Sequence, residues 1–439
     1  MSVPAEKILS TRINHMENAM NKVELLVPAG DMDKLKIALR FGADAVYVGG
    51  RQFGLRAAAG NFDLDQLRKA IDLTHQQGKR IYLTLNAYLR PEDLAGVDGY
   101  LEALRPLATD GYIVSDPGVL MRVKHIDPQR EIHLSTQANT TNAESCRFWQ
   151  RQGVERVNLA RELNIDEIRQ IRRGSDIGLE VFVHGAMCVA YSGRCLLSTA
   201  LTGRSANEGA CAQPCRWNYA LVEETRPGQY FPIEEDGRGT YIMNSRDLCL
   251  LDHVPDLIEA GVDSLKIEGR MKTLYYVAAV TRIYRAAIDR YLADPANYQC
   301  DPLWIEELDK VSHRPYTTDY LPADDAAVHT EDSRYRRTHD FIGVVREVAG
   351  DRVLLEGRNR FSIGDTIELI GPQMRQVTFT VPPCQDEQGE PVAVIQPNAR
   401  VWMTIPGTVA VGDLLRREKS QPGWTVAGST SDPLEKKPI

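Results

Sequence analysis

The stretch VELLVPAGDMDKLKIALRFGADAVYVGG, residues 23–50, reads as strand, turn, helix and strand. Its two outer runs, VELLVPAG and AVYVGG, are short and almost continuously apolar, as strands covered on both faces must be. The segment from Met32 to Phe41 between them carries a helical apolar stripe. The same alternation continues to about residue 295, with strands predicted at IYLTLNAY (81–88), GYIVSD (111–116), EIHLSTQ (131–137), RVNLA (156–160), LEVFVHG (179–185) and SLKIEGR (264–270). Helical segments such as NAESCRFWQRQG and NIDEIRQIRRGS fill the gaps. Eight such units over about 270 residues predict an α/β fold, a (β/α)8 TIM-like barrel. A doubly wound open sheet is the alternative, because periodicity does not report closure.

The units are unevenly spaced, and an insertion at about 186–252 separates the seventh strand from the eighth. It carries a group of cysteines and then a predicted hairpin, YALVEE and TYIMNS flanking the turn-rich TRPGQYFPIEEDGRG. After the eighth strand, KTLYYVAAVTRIYRAAIDRYLAD has the stripe of a helix that packs on the barrel wall. The reading therefore divides the chain into an N-terminal extension (1–22), the barrel (23–295), a polar, turn-rich linker region (296–340), a small all-β barrel domain (341–418) and a flexible tail (419–439).

Composition narrows the function classes. The chain has 439 residues, 43% hydrophobic and 26% charged, which is ordinary for globular domains and excludes low-complexity and collagen-like classes. No apolar run suits a membrane helix, and the first twenty residues lack a signal-peptide core, so the expected compartment is the cytoplasm. A formal charge of −8 provides no global attraction to a polyanion, so nucleic acid would need a local basic face. Basic runs lie at Arg169–Arg173 and Arg334–Arg337, and a solvated face is the plainer explanation of each.

Of the eight cysteines, four fall in one window as Cys188, Cys195, Cys211 and Cys215, spaced C-x6-C-x15-C-x3-C. An even scatter would put about 0.5 there, so the clustering points to ligation. Four thiolates suit either zinc or an iron–sulfur cluster. Only Cys211 with Cys215 has the close pairing of a zinc site, and the first cysteine follows the C-terminal end of the seventh strand, the face on which barrels do chemistry. Unligated thiols and a zinc-stapled binding module remain as the alternatives. Cys146 falls at an apolar helical position, and Cys249 reads as a buried helix position that could also reach the cluster.

Polar residues collect at the predicted C-terminal strand ends: Asn86, Asp116, Gln137, Asn139, Arg161, Glu162 and His184. Lys266, Glu268 and Arg270 alternate along the eighth strand and would share one side, as a site or as a salt bridge. The catalytic candidates are His184, Arg194, Lys266, Glu268 and Arg270, with the cations placed to grip carboxylates. The sequence contains no HExxH motif, no GxSxG elbow and no Walker or GxGxxG loop.

ELLVPAG, GADAVYVGG, HLSTQANTTN, HGAMCVAYSGRCLLS, GACAQPCRW, YIMNSRDLCLL and SLKIEGRMKT together resemble peptidase family U32, called collagenase-like, and within it the members that hydroxylate RNA. That resemblance implies a barrel, a [4Fe-4S] cluster on Cys188, Cys195, Cys211 and Cys215, and prephenate as co-substrate. It implies formation of 5-hydroxyuridine at the wobble position of tRNA, or the same chemistry on ribosomal RNA, with a reductase partner left unspecified. The family label keeps peptide hydrolysis as the second expectation.

Overall fold

A computed structural model describes residues 23–55, 60–187, 191–216, 235–236, 239–240, 246–318 and 335–419. Eight parallel strands close into a barrel: β1 (Glu24–Pro28), β2 (Ala45–Gly49), β3 (Arg80–Leu85), β4 (Gly111–Val114), β5 (Glu131–Leu134), β6 (Arg156–Asn158), β7 (Gly178–Ala186) and β8 (Ser264–Ile267). Each pairs with its sequence neighbour, and β8 pairs with both β7 and β1, so the sheet has no open edge there. The barrel reading holds and the open sheet is excluded.

Six helices alternate with β1 to β7: α1 (Met32–Arg40), α2 (Leu64–His75), α3 (Pro91–Leu104), α4 (Pro117–Ile126), α5 (Ala143–Arg151) and α6 (Ile165–Gly174). Their starts are fixed by short polar caps. Asp31, Asp116 and Asn142 accept backbone N–H bonds, and Asp63 with Gln66 and Asn164 with Glu167 form reciprocal boxes. The run Arg169–Arg173 lies on α6, where Arg169 pairs with Asp166 and Arg172 with Asp263. Short α7 (Val254–Glu259) precedes β8, and α8 (Leu274–Ala293) follows it, burying Tyr276, Val280, Ile283 and Tyr284 against the wall.

The insertion ends in an extension of the sheet. Asp247–Cys249 runs antiparallel to the end of β7, pairing Asp247 with Ala186 and Cys249 with His184, and Tyr316–Thr317 adds beside it. Cys249 is therefore on a strand, not the helix expected from NSRDLCLL. The predicted hairpin lies largely outside the described residues; within it Glu235–Asp236 pairs antiparallel with Gly239–Thr240.

Residues 296–318 are not the loose connector that their polarity suggests. The helix α9 (Pro302–Asp309), capped by Asp301, buries Trp304, Glu307 and Leu308. Turn-rich composition misled because the buried polar groups here are paired: Arg314 grips Asp247 at 2.8 and 3.1 Å. Beyond it, eight antiparallel strands between His339 and Glu418 form one sheet around Ile342, Val345, Leu355, Phe361, Leu369 and Leu415. This domain is bolted to the barrel by ion pairs. Glu307 receives Arg416 at 2.7 Å to each oxygen and also Arg282 from α8, while Asp413 receives Arg40 of α1 at 2.6 Å. No helix among the described residues is long and apolar enough to cross a membrane.

Candidate functional site

The barrel interior departs from the usual Val, Ile and Leu filling. Its lower layer is ionic: Glu24 accepts from Tyr82 at 2.8 Å and from Arg156, and His133 packs at a tilt against Tyr82 with ring centroids 4.5 Å apart. Burial keeps the His133 imidazole below its ordinary pKa, and Arg156 nearby adds to that. One layer higher, Glu180 of β7 accepts from Lys266 Nζ at 2.6 Å and from Asn158 Nδ2 at 2.9 Å, with Arg156 at 3.6 Å from its other oxygen. Burial alone would raise the Glu180 pKa; the opposing pull of Lys266 and Arg156 holds it below its ordinary value.

Above this pair the C-terminal strand ends open into a cavity of about 50 Å³, space for roughly three to five waters or one carboxylate group. Lys266 forms part of its floor, its ammonium 4.7 Å from the Tyr47 ring centroid and 5.3 Å from that of Phe182. Arg161 lies over Phe182 at 4.3 Å, and Arg270 donates to Thr84 Oγ1 at 2.9 Å. Asn86, Ser135, Gln137 and Glu268 complete the polar wall. Glu268 accepts from Tyr47 at 3.3 Å, and Asn86 donates to Ser135 at 3.2 Å while receiving Leu55 N–H at 3.1 Å. Three cations thus face one carboxylate of the lining, an arrangement that selects an anion.

Of the sequence candidates, Lys266, Glu268 and Arg270 are brought together, with Arg161, Asn86 and Gln137. Lys266 takes its charge partner from the neighbouring strand, at Glu180. His184 is elsewhere. The register of β8 on β7 shifts beside it, and its ring is directed outward among Tyr276, Tyr284 and Tyr316, 5.3 to 5.9 Å away. Burial lowers its pKa to about 3, so it is a neutral packing imidazole, not a proton shuttle at the cavity. Arg194 sits by the rim, 6.0 Å from the Tyr88 ring centroid. Asp116 is a helix cap, and Asn139 donates to Ser192 O at 2.8 Å, tying the cysteine segment to the mouth.

That segment, residues 191–216, holds Cys195, Cys211 and Cys215 half-buried, in contrast to the fully buried Cys146. Its two arms are joined where Asn207 donates to Cys195 O at 3.2 Å and Ala212 N–H to Ser198 Oγ at 3.0 Å. Tyr88 N–H reaches Asn207 O at 3.2 Å and Arg90 reaches Glu208 at 3.0 Å, fixing the segment over the loop after β3. Cys188 lies outside the described residues, and among the described residues no three His, Cys, Asp or Glu side chains form a metal site. In donor type, three soft sulfur ligands on one segment, it fits an iron–sulfur cluster. Cys249 faces the Tyr284 hydroxyl at 4.0 Å on the wall side, and burial raises its thiol pKa to about 11.

Glu180, Tyr47 and Phe182 were missed in the sequence. The alternation of Glu180 with Phe182 in LEVFVHG was the available signal, masked because the intervening residues are also apolar.

The family model described as Peptidase family U32 matches residues 30–331, and that for the Peptidase family U32 C-terminal domain matches residues 337–416. The chain is 40% identical over 386 residues to tRNA hydroxylation protein P1 of Bacillus subtilis (strain 168), spanning 87% of this chain and 91% of that protein. It is 36% identical over 440 residues to tRNA hydroxylation protein P of Escherichia coli (strain K12), spanning 88% and 94%. To the 23S rRNA 5-hydroxycytidine C2501 synthase of the same organism it is 36% identical over 313 residues, spanning 70% of this chain and 46% of that protein.

Proposed function

This chain belongs to peptidase family U32, and from that premise we propose that it is an RNA-modifying enzyme that hydroxylates a pyrimidine, forming 5-hydroxyuridine at the tRNA wobble position with prephenate as co-substrate. The observation that carries the reading is the near full-length likeness to two proteins named for tRNA hydroxylation. The cavity supports it chemically. Lys266, Arg161 and Arg270 converge on a space the size of a carboxylate group, beside the rings of Tyr47 and Phe182, so a carboxylate of a small anion meets cations there.

In this reading Cys188, Cys195, Cys211 and Cys215 hold a [4Fe-4S] cluster, which when bound supplies one-electron chemistry beside the mouth. The chain's own side chains bind and orient: Arg270 is steadied by Thr84, Arg161 by the Phe182 face, and Lys266 by Glu180. RNA would dock on the exposed Arg336 and Arg337, beside Tyr335, whose ring lies 4.3 Å from Lys272 Nζ.

Peptide hydrolysis finds no comparable support. Among the described residues of the cavity, Ser135 is held by Asn86 and Gln137 and no imidazole lines the wall, so a hydroxyl activated by a base is not assembled. The test is nucleoside analysis of tRNA and rRNA from cells lacking the protein, complemented with the native chain or Cys188→Ala. Loss of 5-hydroxyuridine from tRNA, restored only by the native chain, is expected. Intact tRNA with a missing rRNA modification would move the substrate, and no change in either would refute the reading. Anaerobically purified protein should be brown, with broad absorbance near about 400 nm that Cys188→Ala abolishes; one bound zinc per colourless chain would refute the cluster.

A further inference from the structure

The Glu180–Lys266 pair is buried, yet Lys266 forms part of the cavity floor. A buried ion pair is an expensive way to fill a barrel, since desolvation of both charges consumes most of their attraction. Two apolar side chains would fill the same space. What an apolar filling cannot do is present a fixed positive charge to the cavity. The surroundings are built to keep the carboxylate ionised: Asn158 donates to it, Arg156 approaches its second oxygen, and Glu24 beneath neutralises Arg156. On β5, burial holds the His133 imidazole below its ordinary pKa. Above, the titratable and charged groups facing Lys266 are Tyr47, Glu268, Arg161 and Arg270, two of them cations that would otherwise favour its deprotonation.

We propose that Glu180 is a positioning residue whose carboxylate fixes Lys266 as an ammonium at the cavity floor, aimed at the anionic group of the bound co-substrate. The inference rests on the co-substrate reading given above for the nature of the anion, and on the structure alone for the pairing. Without Glu180, an enclosed ammonium beside Arg156 and beneath two guanidiniums releases its proton at lower pH. The cavity of such a variant then loses one charge as pH rises.

The experiment uses the full chain with its cluster loaded. Lysine labelled with 13C at Cε is followed by NMR from about pH 6 to 10, the Lys266 resonance being assigned by its loss in Lys266→Met, and prephenate binding is measured calorimetrically over the same range. Relative to the native chain, Glu180→Gln should bind prephenate about tenfold more weakly toward the alkaline end of the range, with an inflection of the Lys266 resonance, both recovered on acidification. A purely structural Glu180 would move neither reading with pH. A level Glu180→Gln resonance, or native affinity at every pH, overturns the proposal. If the native chain binds no prephenate while the inflection is present, the co-substrate reading falls and the charge-fixing role stands. Should Glu180→Gln not fold, the double variant Glu180→Leu with Lys266→Met decides: a folded chain that has lost the anion supports the proposal, and one that still binds it refutes it.

Discussion

Replacing Glu307 by Gln should loosen the β domain from the barrel, and the structure sets the size of the effect. Glu307 is fully buried on α9, receiving Arg416 through two 2.7 Å bonds, Lys310 at 2.8 Å, and Arg282. Burial opposes its ionisation, but the cations prevail and hold its pKa at about 2 against an ordinary 4.5. A difference of roughly 2.5 units corresponds to about 3 kcal/mol, in line with the roughly 3–5 kcal/mol lost when one partner of a buried pair is removed. Because the folded pKa is depressed, this stability is complete above about pH 4.5 and is lost as pH falls toward 2. Urea titration at neutral pH, read by near-ultraviolet circular dichroism, should give Glu307→Gln a transition lower by about 3 kcal/mol, or an early separate step for the β domain. Repeating it at stepwise lower pH should show the native chain losing an increment that the variant lacks. A variant within about 0.5 kcal/mol of native, with the same pH slope, would refute the reasoning.

Three further outcomes are expected. His184→Gln should leave the pH–rate profile unchanged above about pH 5, since the native ring is already neutral there; the native stability increment from this ring is full above about pH 6.5 and falls as pH drops toward 3, and an acid limb that vanishes in the variant would contradict the packing role. Gly49→Ala would set a Cβ 2.3 Å from Arg270 Nη1, so the guanidinium must leave Thr84, and calorimetry should show prephenate affinity about tenfold weaker with the melting temperature nearly kept; native affinity would show that Arg270 does not grip the anion. Arg336→Glu with Arg337→Glu should weaken tRNA binding and flatten its salt dependence by about one to two units of log–log slope, measured by filter binding, and an unchanged slope would remove that surface.

The barrel was legible because its strands alternate with helices whose caps are short polar residues, so eight runs could be placed and the structure uses all eight. Closure was not legible, since it resides in the β8 to β1 and β8 to β7 ladders, contacts between distant residues that no local pattern reports. The cavity was half legible. Lys266, Glu268 and Arg270 declare themselves by alternation on one strand, but Lys266 draws its counter-charge from Glu180, 86 residues earlier. His184 read as a site residue because it ends a barrel strand, and a one-residue register shift turned it to the wall. Residues 296–318 read as a connector because polar composition was taken as exposure, although Glu307 and Arg314 are polar groups whose partners lie on other elements.

The same physics links the layers of the barrel. Glu24 on β1 neutralises Arg156 on β6, Arg156 approaches Glu180 on β7, and Glu180 holds Lys266 on β8, so the charge presented at the mouth is secured from below by a chain of alternating signs. Such a chain tolerates the loss of a whole pair better than the loss of one member, because a lone buried charge has no water to turn to. Arg270 is placed by Thr84 and by space: Gly30 after β1 and Gly49 at the end of β2 leave the room that its carbonyl and its side chain occupy. Charge thus fixes Lys266, and shape helps to fix Arg270. Substitutions in the ionic layer should change how binding depends on pH, whereas substitutions at the two glycines should change binding equally at every pH.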